Sequence, residues 1–152
     1  MRKKIIMFWL VVLIFGLAGC SMQPEEKEPE IVRSESLEFD DDFLHIGLIQ
    51  TGKESGWRDA NSNDYQETFT KERGYDLIYI DGNSSPERQV KAMQDLIRQQ
   101  VDYIIVQPIV EYGWDEAVEF AQEVGIPVIV ADRQIAVDSD KYVAWTGSDF
   151  YE

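Results

Sequence analysis

The sequence is poor in the residues that build disulfide-linked or zinc-linked folds. Its 152 residues include one cysteine and one histidine, which excludes an internal disulfide and a structural zinc cluster. Basic residues are also few, because 14 Lys and Arg stand against 29 Asp and Glu and give a formal net charge of -15. A nucleic-acid backbone would repel such a chain, so we expect no nucleic-acid partner. The remaining composition, 44% hydrophobic and 28% charged, is typical of one globular domain.

Sequence signatures of catalysis are missing as well. No Gly-x-Gly-x-x-Gly or Walker loop follows the first predicted strand, and no Ser-His-Asp set is present. His45 lies on that strand and is expected to point outward or to lie at an edge, not to act as a base. Asp40, Asp41 and Asp42 end an acidic linker and are interpreted as solvated spacers. We therefore predict no enzyme activity, no cofactor and no metal site.

The first twenty residues have the pattern of a secretory signal that ends in a lipid attachment site. A basic start at positions 2–4 precedes an apolar run over 5–18 that is too short to span a bilayer comfortably. The following Leu-Ala-Gly-Cys, which ends at Cys20, resembles the lipobox of bacterial lipoproteins, whose cysteine receives diacylglycerol. The alternative is an ordinary buried thiol. We expect residues 1–19 to be removed and Cys20 to become the first mature residue, carrying fatty acyl chains such as palmitate.

The next segment, residues 20–42, has the composition of a flexible acidic tether. Glu, Asp, Pro and Ser dominate it, and its apolar side chains are too few to offset the cost of ordering the chain. Residues 43–152 then form the folded part.

From residue 43 onward, strand and helix patterns alternate. Strands are predicted over 43–50, 75–81, 101–106, 126–131 and 142–145, and helices over 57–73, from Ser85 onward, and over 114–124. This alternation implies right-handed parallel crossovers, so the predicted fold is an α/β three-layer sandwich with a parallel sheet. Ligands of such sheets bind at the carboxyl ends of the strands, which selects the loops 50–58, 81–85, 107–113 and 131–137.

Three of these loops carry candidate polar side chains, and the first also carries an aromatic ring. The candidate binding residues are Glu54, Ser55, Gly56, Trp57 and Arg58 in the first loop, Asp132 and Arg133 in the fourth, and Gln107 in the third. An aromatic face stacks on the apolar side of a sugar ring, while Arg and Asp make directional hydrogen bonds to its hydroxyls. The residue set therefore favours a sugar as ligand.

Each candidate also has a structural alternative. Trp57 could be the first core residue of its helix, Arg58 and Asp132 could pair weakly across a surface, and Arg133 could be a solvated side chain. Trp114, at a helix start on the same edge, could pack beneath its loop or contact a ligand.

These residues carry a resemblance to a known family. Ile46 to Gln50 with Glu-Ser-Gly-Trp-Arg at 54–58, Gln-Pro at 107–108, Gly-Trp at 113–114 and the strand that ends in Asp132-Arg133 look like the N-terminal lobe of bacterial sugar-binding proteins of the ribose-binding type. Within that type the likeness is to galactofuranose-binding proteins of ABC importers in particular. The resemblance covers about residues 44–150.

The resemblance implies one lobe of a type I periplasmic-binding-protein clamshell, which closes around a monosaccharide and presents it to an ABC permease. By position, 54–58 fall on the family's first ligand loop and Asp132-Arg133 on its paired Asp-Arg. Trp57 would stack on the sugar, Arg58 and Arg133 would donate to its oxygens, and Asp132 would accept from hydroxyls. Gln107 falls where related receptors place a polar contact.

The sequence departs from the family in its length. The family continues into a second lobe, whereas this sequence ends at Glu152, so the expected product is a truncated N-terminal lobe. We expect a lipid-anchored protein on the extracytoplasmic face of the membrane, at the cell surface or in the periplasm. The alternatives are a ligand-sensing module for a chemoreceptor or sensor kinase, and a non-functional fragment.

Overall fold

Five parallel strands form one sheet in the computed structural model, which describes residues 42–53 and 55–148. The strands are β1 (Leu44–Gln50), β2 (Tyr75–Asp81), β3 (Tyr103–Val106), β4 (Val128–Ala131) and β5 (Ala144–Thr146). Their order across the sheet is β2-β1-β3-β4-β5, and every neighbouring pair is parallel. The predicted α/β fold with a parallel sheet is confirmed.

Three helices connect these strands: α1 (Gly56–Thr68), α2 (Pro86–Gln99) and α3 (Asp115–Val124). Serine side chains cap the first two, because the Ser55 Oγ accepts from the Arg58 N–H at 3.3 Å and the Ser85 Oγ from the Arg88 N–H at 3.2 Å. The residues that follow α2 and α3, Gln100 and Gly125, adopt the left-handed conformation that terminates helices.

The helices cover the two faces of the sheet with separate apolar clusters. On one face, Met93 of α2 and Val118 of α3 pack against Ile104 and Val130 of the sheet, and all four are fully buried. On the other face, Leu48 and its neighbours pack with Tyr65 of α1 and with Phe69, the residue after that helix. This arrangement is the predicted three-layer sandwich.

The predicted first helix, 57–73, is shorter in the structure. It ends at Thr68, because Phe69 leaves the helical conformation and places its ring edge-on against Tyr75 at 5.1 Å. A 3₁₀ turn over Lys71–Arg73 follows, and Gly74 at φ 86° turns the chain into β2. Other predicted bounds differ from the observed ones by one or two residues.

The outward or edge position expected for His45 is wrong. Only 4% of His45 is exposed, because β1 lies between β2 and β3 and is a central strand. Its ring lies between two carboxylates, with Nδ1 at 3.4 Å from Asp102 and Nε2 at 3.9 Å from Asp76. Lys71 in turn pairs with Asp76 at 3.2 Å. This cluster lies at the amino ends of the strands, opposite the predicted ligand edge.

Several predictions lie outside the described residues, namely the signal segment, Cys20, the tether up to position 41, and Glu54. Among the residues that are described, no helix is long and apolar enough to cross a membrane. The same residues contain no group of three His, Cys, Asp or Glu side chains placed to hold a metal ion.

Candidate functional site

The candidate site lies where the order of the sheet reverses. β1 is followed by α1 on one face, whereas β3 is followed by α3 on the other, so the loops after these adjacent strands diverge. In doubly wound sheets this divergence leaves a crevice at the carboxyl ends of the strands. Arg58, Gln107 and Asp132 come from three different connections and meet there.

Arg58 is the centre of this arrangement. Although it is charged, only 4% of it is exposed. Its Nη2 donates to the Asp132 carboxylate at 2.9 Å, and its Nη1 donates to the Gln107 side-chain oxygen. Arg58 and Asp132 do form an ion pair, but the pair is largely buried and is not the weak surface contact that was one alternative. Removing one partner of such a pair is far more costly than breaking an exposed one.

Gln107 connects Arg58 to a second polar layer. It is 1% exposed, and its Nε2 donates to the Asn61 side-chain oxygen at 2.7 Å. Gln50 donates to the same Asn61 oxygen at 3.2 Å and to the Ser62 hydroxyl at 3.1 Å. Every one of these side-chain amides therefore has a hydrogen-bond partner. The bond from Gln107 to Asn61 fixes the Gln107 side chain with its oxygen towards Arg58.

Sequence reasoning missed Asn61, Ser62 and Gln50. Trp57, for which a core position was one alternative, is exposed, and the inward positions at the start of α1 are Arg58, Asn61 and Ser62. The sequence does carry a pattern for this buried polar face, because Arg58, Asn61 and Ser62 lie on one side of the helix with Tyr65, at spacings of three and four.

Asp132 is held in a strained backbone conformation. Its φ is 68°, a left-handed value that is uncommon for residues other than glycine, and its N–H donates to the Thr146 carbonyl at 2.8 Å. The Asp132 carbonyl lies so close to Gly147 that a β-carbon there would overlap it. Such strain costs about 1–3 kcal/mol and concentrates at functional sites.

Arg133 lies beside this centre and not within it. Its side chain is exposed, and Nη1 donates to the Ile109 carbonyl at 3.2 Å. It therefore joins the loop after β4 to the loop after β3, where the Ala136 N–H also donates to the Glu111 carbonyl at 2.8 Å.

The two tryptophans at this edge have opposite environments. Trp57 is 58% exposed, which excludes a core role, and the Arg58 guanidinium carbon lies 4.6 Å from the centre of its ring. Trp114 is fully buried and donates from Nε1 to the Val110 carbonyl at 2.9 Å, so it packs beneath its loop. Ser55 and Gly56, both exposed, form the start of α1 next to Trp57.

A polar groove also lies between α1 and the end of β2. It is lined by Lys53, Asp59, Ser62, Asn63, Gln66, Tyr79 and Asp81, and none of the predicted site residues lines it. The candidate site itself is an open edge with an exposed indole, buried donors and a carboxylate. Those groups can bind an uncharged polyhydroxy ligand.

Comparison with known proteins agrees with this fold. A family profile described as periplasmic binding protein domain matches residues 46–152. The chain belongs to the periplasmic binding protein family. Among its relatives, the galactofuranose-binding protein YtfQ of Escherichia coli (strain K12) is 36% identical over 107 residues, which are 70% of this chain and 33% of that protein. The ribose import binding protein RbsB of Bacillus subtilis (strain 168) is 29% identical over 132 residues, 86% of this chain and 41% of that protein.

Solved structures of the family share the fold. The crystal structure of a galactofuranose binding protein superposes with a TM-score of 0.66 at 36% identity, over 70% of this chain and 36% of that one. The binding protein of the arabinose ABC transporter from Shewanella sp. ANA-3, bound to α- and β-L-arabinofuranose, gives a TM-score of 0.66 at 40% identity, over 70% and 35% of the two chains. The chain spans about a third of the length of these periplasmic binding proteins.

Proposed function

We propose that this chain is the sugar-binding N-terminal lobe of a substrate-binding lipoprotein for an ABC importer. The observation that carries the proposal is the buried Arg58 guanidinium, fixed by Gln107 and Asp132 beside the exposed ring of Trp57. Each terminal nitrogen of a guanidinium carries two N–H groups, so one arginine can contact both the protein and a ligand hydroxyl. A fixed donor beside an open aromatic face matches a sugar ring, which has hydroxyls at its rim and C–H groups on its face.

The candidate residues divide the recognition of the sugar between them. Trp57 stacks on the ring, Arg58 and Arg133 donate to its oxygens, and Asp132 accepts from its hydroxyls. Gln107 adds an amide, while Glu54, Ser55 and Gly56 complete the first ligand loop. The ligand is a monosaccharide, and a furanose such as galactofuranose is the first choice because the galactofuranose- and arabinofuranose-binding relatives carry those sugars in their names.

The same proposal assigns the protein a place and partners. Residues 1–19 act as a lipoprotein signal, Cys20 carries the lipid, and residues 20–42 tether the lobe to the extracytoplasmic face of the membrane. An ABC permease receives the sugar, and the lobe itself performs no chemistry. Support for the importer comes from relatives named as import binding proteins for ribose and fructose.

A second candidate function is ligand sensing. The fructose binding periplasmic domain of a hybrid two component system superposes on this chain with a TM-score of 0.62 at 26% identity. A lobe of this fold can therefore belong to a sensor, and the partner protein distinguishes the two functions.

Isothermal titration of the full chain with galactofuranose, L-arabinose, D-ribose and D-fructose tests sugar binding. We expect heat from at least one sugar, and loss of that heat in Trp57→Ala and Arg58→Lys. Phe120→Ala is the matched control, since Phe120 is a partly exposed aromatic residue on α3, away from the site. A folded wild-type chain that gives no heat with any of these sugars would contradict a sugar site in this lobe.

A further inference from the structure

Gln89 is a fully buried polar residue that the proposed sugar contacts do not use. It lies on α2 and uses all of its side-chain amide. The Nε2 donates to the Gln50 carbonyl at 3.0 Å and to the Gln107 carbonyl at 2.7 Å. The Oε1 accepts from the Ile109 N–H at 2.9 Å. One side chain thus satisfies three backbone groups, one at the end of β1 and two in the loop after β3.

These bonds lie at the point where β1 and β3 stop pairing. The last ladder bond between them runs from the Gln107 N–H to the Ile49 carbonyl at 2.9 Å, and beyond it the chains diverge. Beyond that bond, the Gln89 side chain links the two chains instead, by donating to the Gln50 and Gln107 carbonyls. A buried glutamine among apolar positions such as Met93 and Leu96 is costly unless fully bonded, as it is here.

The same bonds connect α2 to the candidate sugar site. Gln89 holds the Gln107 backbone, the Gln107 side chain accepts from Arg58, and Arg58 donates to Asp132. We infer that Gln89 is a positioning residue, which fixes the strand ends at the crevice and, through Gln107, the direction of the Arg58 guanidinium. Its effect on a bound sugar rests on the proposed function.

The role requires an amide of this length. A methionine at this position fills similar space but leaves two carbonyls and one N–H without their partner. A glutamic acid retains the shape, but in its neutral form offers one donor where the amide offers two. The surroundings also restrict the side chain, since a β-carbon at Gly82 would lie 2.8 Å from the Gln89 Cγ. We therefore expect Gln89→Met to disturb the strand ends and Arg58 more than Gln89→Glu does, with both variants compared to wild type.

NMR of the isotope-labelled full chain without sugar tests the positioning role directly. In Gln89→Met we expect the Ile109 amide to exchange at least about tenfold faster than in wild type, and the Arg58 side-chain N–H signals to shift and broaden. Gln89→Glu shows the same changes at smaller amplitude. Ile97→Val is the matched control, because Ile97 is a buried residue on the same helix at the end away from the site, and its variant leaves both signals in place.

Sugar titration of the same variants supplies the second arm. For the sugar that wild type binds, we expect Gln89→Met to weaken affinity about tenfold or more and Ile97→Val to leave it unchanged. The inference would be overturned if a folded Gln89→Met variant kept both the Arg58 NMR signals and the sugar affinity of wild type. If Gln89→Met does not fold, the same criterion applies to Gln89→Glu. If wild type binds no sugar, the proposed function fails while the NMR arm still decides the role of Gln89.

Discussion

At the scale of single residues, the site depends on a charge that the protein has removed from water. A buried guanidinium is stable only with partners of good geometry, and Arg58 has a carboxylate and an amide oxygen from two other connections. The same partners fix the conformation of the Arg58 side chain, so its guanidinium is already oriented as a donor before a ligand binds. Rigid donors bind with a smaller entropy loss than mobile surface arginines.

We predict strong coupling between Arg58 and Asp132. Arg58→Met should lower the free energy of unfolding by about 3–5 kcal/mol, because it leaves the Asp132 carboxylate and the Gln107 oxygen without their donor. Asp132→Asn together with Arg58→Met should recover part of that loss. A double-mutant cycle in urea measures the coupling, and purely additive losses would show that the pair acts as two independent residues.

A second residue-scale prediction concerns Gly147. In Gly147→Ala the added methyl overlaps the Asp132 carbonyl and lies 2.7 Å from a ring carbon of Trp145, so the strained Asp132 backbone must move. We expect a loss of about 1–3 kcal/mol in unfolding free energy, together with weaker sugar binding.

The matched control for this change is Gly56→Ala. Nothing lies within 4 Å of a β-carbon at Gly56, and the residue opens α1. Stability in urea should stay equal or rise slightly there. If Gly147→Ala and Gly56→Ala lost the same unfolding free energy, overlap with the Asp132 carbonyl would not be the cause of the Gly147→Ala loss.

At the scale of elements, sequence patterns predicted most of the fold. The dense branched residues of β3 and the serine and proline at the start of α2 are strong local signals, and both elements are present. The end of α1 was predicted wrongly because the packing of Phe69 against Tyr75, a tertiary contact, terminates it. Gln50 and Gln89 were not predicted because a buried amide cannot be distinguished from a surface residue in the sequence until its hydrogen-bond partners are known.

The start of α2 provides a prediction on pH. The backbone N–H of Glu87 and then the Ser85 hydroxyl, which donates to its carboxylate at 2.9 Å, hold the pKa of Glu87 below its usual 4.5. A lowered pKa stabilises the fold above pH 4.5, and this contribution is lost as the pH falls through the folded-state pKa. Glu87→Gln should therefore be less stable than wild type at pH 7, and the difference should shrink as the pH falls below 4.5, as thermal unfolding over this range would show.

Ser85→Ala separates the cap from the charge. It removes the acceptor of the Arg88 N–H, so we expect a loss of about 1 kcal/mol in unfolding free energy at neutral pH. Much of this loss should persist at low pH, because the hydroxyl accepts from the backbone at any pH. A Ser85→Ala defect that vanishes with acid would assign the whole effect to Glu87.

At the scale of the whole molecule, the dominant property is the net charge of -15. Like charges repel in the compact state more than in the expanded one, so the charge lowers stability when it is not screened. Raising the ionic strength from about 10 mM to about 150 mM shortens the Debye length from about 30 Å to about 8 Å. We predict that the melting temperature rises over this range.

Sodium chloride and sodium sulfate at equal ionic strength provide the control for this prediction. Screening acts equally for both salts, whereas sulfate also strengthens apolar burial. A melting temperature that is flat in chloride and rises only in sulfate would contradict self-repulsion as the cause.

The strand order described above also governs how the chain folds. β1 comes first among the five described strands yet lies between β2 and β3, and no hairpin joins any two of these five. Its first pairing, Leu44 with Tyr75, must close a loop that contains all of α1, and its second waits until α2 has also been made. Such non-local closures slow refolding towards the millisecond-to-second range. During synthesis, β1 is the first of the five described strands to leave the ribosome, and until β2 and β3 are made both of its edges and its apolar side chains stay accessible to chaperones.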